Sequence, residues 1–136
     1  MIWRRRRLPV ELRAAFAAFG EVLAQVEPAK AALTRVMPTT RLPGQSLPDA
    51  LMEFEERLGR AKELMPAWRW PETQEIWVAC DEGLDEALDL ARGMREEAPD
   101  VGGFEGLIWA VERLMGPLEP FAVAAGRFRS LRTVAT

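Results

Sequence analysis

The sequence predicts an all-α protein, an antiparallel up-and-down bundle of about four helices with proline kinks in the first and last. Three observations carry this expectation. Ala, Leu, Glu and Arg dominate the chain, all good helix formers, while strand-favouring residues are thin and Tyr is absent. Apolar residues recur at three- and four-residue steps in four successive segments. Short stretches rich in Pro and Gly separate those segments, and short connections make neighbouring helices antiparallel. The length of 136 residues suits one helical domain, expected over 9–133, preceded by a basic arm over 1–8.

The first segment places Leu8, Leu12, Ala15, Phe16, Phe19, Leu23, Val26, Leu33 and Met37 in phase. Pro9 suits a first helical turn, whereas Pro28 falls inside the pattern and is expected to kink the helix or to start a second piece. Pro38, Pro43, Gly44 and Pro48 mark a connector. Ser46 is a candidate N-cap, with Asp49 in the first turn of the next helix. The second segment carries Leu47, Leu51, Phe54, Leu58, Ala61 and Met65 and stops near Pro66. After the turn Trp68-Arg69-Trp70, Pro71 opens the third helix, and Glu72 and Glu75 favour its positive dipole end. Its stripe is Trp77, Cys80, Leu84, Leu88, Ala91 and Met94, closed by Pro99. Phe104, Leu107, Ile108, Val111, Met115, Leu118, Phe121, Ala125, Phe128 and Leu131 form the fourth. Gly116, Pro117 and Pro120 interrupt that stripe without changing its phase, which predicts a kinked helix or two nearly collinear pieces.

Composition removes several chemistries. The chain contains no His, the commonest general base and transition-metal ligand, so a zinc site, a Ser-His or Cys-His pair and a Glu-x-x-His di-iron site cannot form within one chain. One cysteine, Cys80, forbids an internal disulfide and fits a reducing compartment. The start, with Arg4 to Arg7 consecutive, is similar to the basic region of a signal peptide, but Glu11, Arg13 and Glu21 interrupt the apolar stretch beyond it. No apolar run reaches the length of a membrane span, and a cytoplasmic location is expected.

Glu53-x-x-Glu56 and Glu82-x-x-Asp85 lie on consecutive predicted helices. The spacing resembles the ExxE…ExxD pattern of the all-α nucleotide pyrophosphatases, the MazG-like family. That resemblance implies that Glu53, Glu56, Glu82 and Asp85 hold Mg²⁺ against the phosphates of a nucleotide. It covers these positions alone. Helical geometry gives a second reading of the same residues. At about 100° per residue, Glu56 projects opposite Phe54 and Leu58, and Glu82 opposite Leu84 and Leu88. Glu53–Arg57 and Glu56–Arg60 are then i,i+4 ion pairs on a solvated face. Asp81, Glu82, Asp85, Glu86 and Asp89 make an acidic band that serves either as a solvent face or as a dock for a basic partner, including the arginine arm of another copy. The arm itself could bind nucleic acid or anionic lipid by charge, although no nucleic-acid-binding motif accompanies it and the net charge is −3.

The tryptophans sort by position. Trp68 and Trp70 either cap one end of the bundle or line a pocket for a small apolar ligand. Trp109 projects away from Val111 and Leu107, and Met52 away from its own stripe. With Trp3 beside the arginines, these make candidate interface residues. Lys30 falls on the apolar stripe if the phase runs through Pro28, as a snorkelling side chain or a lysine of lowered pKa. Cys80 sits among core positions as a structural thiol. The first expectation is therefore a bundle that works through protein contact or self-association as a homo-oligomer, without a cofactor. The alternatives are the Mg²⁺-dependent pyrophosphatase and the apolar-ligand binder.

Overall fold

The structure, a computed structural model, describes residues 10–37, 46–97 and 103–133. Trp3, the arginine arm, and the connectors around Pro43 and Pro99 lie outside them. The described residues are almost entirely helical and contain no strand. Among the described residues five α-helices succeed one another: α1 (Val10–Thr34), α2 (Leu47–Leu64), α3 (Gln74–Glu97), α4 (Gly103–Met115) and α5 (Glu119–Thr133). A 3₁₀ turn over Gly116–Leu118 joins α4 to α5, so the two pieces together make the fourth arm of the bundle.

Local signals explain most boundaries. Ser46 is extended, and its Oγ accepts the Asp49 amide at 3.3 Å, which starts α2. Pro66 lies in the 3₁₀ turn Met65–Trp68 that ends α2. Pro71 opens a second 3₁₀ turn, Pro71–Thr73, rather than the α-helix itself, and α3 begins at Gln74. Pro28 does not divide α1, which runs unbroken past it. The carbonyl it leaves without a donor belongs to Ala24, on the exposed side where water can satisfy it. The apolar phase accordingly continues through Val22, Val26, Ala29, Leu33 and Val36, all buried.

Cross-helix pairs show the antiparallel order. Arg35, just past α1, reaches Glu53 near the start of α2 at 2.9 Å, while Arg57 further along α2 donates to Gln25 back in α1 at 3.4 Å. Lys62 at the end of α2 meets Asp81 early in α3 at 2.7 Å, and Arg95 at the end of α3 returns to Glu55 at 2.6 Å. α1 packs most extensively on α2, and α3 packs on α2, on the Gly116–Leu118 turn and on α5. One continuous apolar cluster joins all five helices, including Phe54 and Leu58 of α2, Leu84 and Ala91 of α3, Leu114 of α4 and Phe128 of α5.

At the end of the bundle where α2 gives way to α3, aromatic rings close the core. Phe19 lies 4.9 Å from Trp68, 5.1 Å from Phe128 and 6.4 Å from Phe121. The Trp68 indole N–H points at the Met65 sulfur at 3.1 Å, and that of Trp77 donates to the Met65 carbonyl at 2.8 Å. Buried indole nitrogens thus keep partners. Thr73, also buried, donates its hydroxyl to the Trp70 carbonyl at 3.1 Å. On the α3 side, Gly83 lets the helix lie against the backbone of the Gly116–Leu118 turn. A Cβ there would drive into the Pro117 carbonyl oxygen.

Two stability measurements check this packing. Phe19→Ala is expected to cost about 3–5 kcal/mol in a denaturant titration, because it removes the ring shared by three aromatic neighbours. Gly83→Ala is expected to destabilise despite the better helix propensity of Ala, whereas Gly93→Ala on the same helix, with open space around its Cα, should stabilise by about 0.5–1 kcal/mol.

Candidate functional site

The four carboxylates of the metal reading do not come together. Glu53 is tied to Arg35 across the α1–α2 seam at 2.9 Å, and Glu56 is exposed and pairs with Arg60 at 2.6 Å. Asp85 shares Lys62 with Asp81, at 3.0 and 2.7 Å, and Glu82 points to solvent. Among the described residues no group of three or more Cys, Asp or Glu is arranged to hold a metal ion. The expected Glu56–Arg60 pair forms, but the Glu53–Arg57 pair does not. Both residues sit beside α1, where Arg35 and Gln25 offer partners at better height than a neighbour on the same helix.

The acidic band of α3 is partly neutralised from within. Lys62 sits between Asp81 and Asp85, and Asp89 lies 3.8 Å from Arg92. Burial works against the Lys62 ammonium, but hydrogen bonds to the two aspartates and their charges outweigh it, so its pKa is raised. Lys30, the other lysine, is half-exposed and reaches toward Glu27 at 3.8 Å, a snorkelling side chain rather than a buried amine.

Trp68 and Trp70 do not act as a pair. Trp68 is fully buried between Phe19, Phe128 and Trp77, so its ring is committed to the core. Trp70 is half-buried, and its place as the second capping indole is taken by Trp77, over whose outer side Arg69 lies 4.7 Å from the ring centre. The sequence signal for Trp77 was its position on the α3 stripe, which reads as ordinary core.

Cys80 is wholly enclosed by the bundle. Burial first, and the neighbouring Asp81 charge second, push its thiol up to about 12, far from any thiolate nucleophile at neutral pH.

What remains unaccounted for is apolar surface. Trp109 on α4 is 57% exposed, and Arg113 one turn on lies over its ring at 5.1 Å. Phe104 at the start of α4 is 56% exposed, and Ile108 is only half-buried. The expected stripe placed Phe104 inside. The core-facing side of α4 is Leu107, Ala110, Val111 and Leu114; Phe104 keeps nearly the direction of Val111 but is exposed in the first turn, and Ile108 lies at the edge of that side. Met52, 61% exposed on α2, is the other outward apolar residue expected from the sequence. α4 packs on α3 and α1, so Met52 and Trp109 belong to separate helices without an extensive contact. The outer side of α4 is therefore the candidate site. Among the described residues no helix is long and apolar enough to cross a membrane.

Native Cys80 is expected to resist a thiol reagent at pH 8 and to react only at the rate of global unfolding. Its raised pKa also sets the sign of a pH effect. The unfolded thiol ionises near 9.0 and the folded one near 12, so its contribution is complete below pH 9 and is lost as pH rises between those values. The raised Lys62 pKa acts in the same direction above about 10.5. Alkaline titration of stability should therefore fall from about pH 9, with a shallower initial slope in Cys80→Ala. Set beside known proteins, the chain matches no protein-family model, no characterised protein and no solved structure.

Proposed function

We propose that this protein works by protein–protein contact, self-association as a homodimer included, through the outer face of α4 rather than by catalysis. The observation that supports this reading is Trp109. Its large ring is more than half exposed, on the side of α4 opposite the buried Val111 and the half-buried Leu107. Tryptophan is enriched among the residues that dominate binding energy, and an apolar patch rimmed by charge is the usual form of a contact surface. Ile108 flanks Trp109 at the edge of this face, and Glu105, Glu112 and Arg113 supply the charged rim. Met52 is a second contact point on α2. Trp3 would add to such a surface from outside the described residues. A cytoplasmic setting suits the single reduced thiol.

The competing reading, Mg²⁺-dependent hydrolysis of a nucleotide by Glu53, Glu56, Glu82 and Asp85, draws no support from the separate ion pairs in which three of these side chains engage. A photo-crosslinking side chain installed at position 109, and at exposed position 60 as a control, tests the proposal in the native host. A protein adduct at 109 and none at 60 is the expected result. No adduct at 109 would overturn the α4 surface. Magnesium-dependent release of pyrophosphate from nucleotides, abolished in Glu56→Ala, would replace it with the hydrolase.

A further inference from the structure

Within the protein-contact reading, on which this step rests, the charge order along α4 selects the partner. Glu105, Trp109 and Arg113 are spaced i, i+4, i+8, so they form one row on the outside of the helix, within about 80° of one another. All three are exposed. Glu105 and Arg113 stand about 12 Å apart along the axis, too far to pair with each other. Neither makes an ion pair among the described residues. Arg113 lies over the Trp109 ring instead. The row thus reads negative, aromatic, positive, with its charges unspent.

We infer that this row binds the same row of a second copy, antiparallel and centred on Trp109. A two-fold interface sets residue i against j and j against i. With Trp109 on the axis, Glu105 of each copy falls opposite Arg113 of the other, giving two ion pairs around a Trp–Trp contact. A parallel pairing would oppose Glu105 to Glu105 and Arg113 to Arg113, so the charges choose the antiparallel one. Gly116, with open space around its Cα, leaves the end of the helix clear. One face of a helix of 13 residues is small for a permanent dimer. The association is expected to be weak, concentration-dependent and loosened by salt.

Sedimentation of the purified full chain over a concentration series at low salt tests this. Wild type should dimerise and Trp109→Ala should not. Glu105→Arg and Arg113→Glu alone each turn two attractions into two repulsions and should weaken the dimer by roughly tenfold or more. The double variant E105R/R113E should recover it, and an equimolar mixture of the two single variants should form a mixed dimer. All three positions are exposed, and thermal melts followed by circular dichroism confirm that each variant is folded. A monomeric wild type whose position 109 still crosslinks to a different protein in the host would overturn the second copy as occupant and leave the contact surface standing. A dimer lost in Trp109→Ala but indifferent to the charge reversals would overturn the antiparallel arrangement. A dimer untouched by Trp109→Ala would overturn the inference entirely.

Discussion

The contact between Phe19 and Trp68 organises one whole end of the molecule. Trp68 lies in the 3₁₀ turn between α2 and α3, and Phe19 lies in the first half of α1, so their packing brings the α2–α3 corner over the other helices. Phe121 and Phe128 reach the same ring from α5, and Phe16 touches Phe128 from the α1 side at 5.4 Å. Large rings bury much apolar area with few rotatable bonds, so a cluster of this kind holds three chain segments at little entropic cost. Met65 completes it by accepting both indole N–H groups, one on its sulfur and one on its carbonyl. No buried side-chain polar atom among the described residues is left without a partner.

Polar contacts then choose among arrangements that the apolar core would tolerate. The Arg95 guanidinium grips the Glu55 carboxylate through two nitrogens, at 2.6 and 3.3 Å, and Glu55 is the less exposed of the pair. Lys62 bridges two aspartates one turn apart. These links sit at opposite ends of the α2–α3 seam, where they oppose sliding and rotation more than they add net stability. The acidic band on α3 is in this sense part of the scaffold, since Lys62 from α2 already occupies its near end.

Much of the fold was legible because apolar spacing and proline or glycine punctuation are local signals. Ser46 as a cap, the apolar phase of α1 and the outward set of Trp109 and Met52 derive from positions three or four apart. What was not legible depends on which helix stands beside which, and at what height. Glu53 prefers Arg35 to Arg57 because α1 ends next to it. Trp77 rather than Trp70 became the second indole of the cluster because the 3₁₀ turn at Pro71 rotates Trp70 toward the surface. Phe104 kept the phase of its stripe, yet in the first turn of α4 it is left exposed among the described residues. The site obeyed the same division. An outward Trp could be read from angle alone, while the lack of an ion pair at Glu105 and Arg113 among the described residues needed the other helices to be placed first.

Gly83 has one more consequence. The face of α3 that meets the Gly116–Leu118 turn also carries Cys80 one turn before and Ala87 one turn after, both bearing a β-carbon. Sliding the helix by a turn in either direction would bring one of those carbons to the place where the Pro117 carbonyl stands. The missing atom therefore acts as a notch that receives the turn in only one register. A hydrophobic stripe of mostly small and flexible side chains would otherwise permit several, and the chain selects a single native alignment through an absence rather than through an added contact.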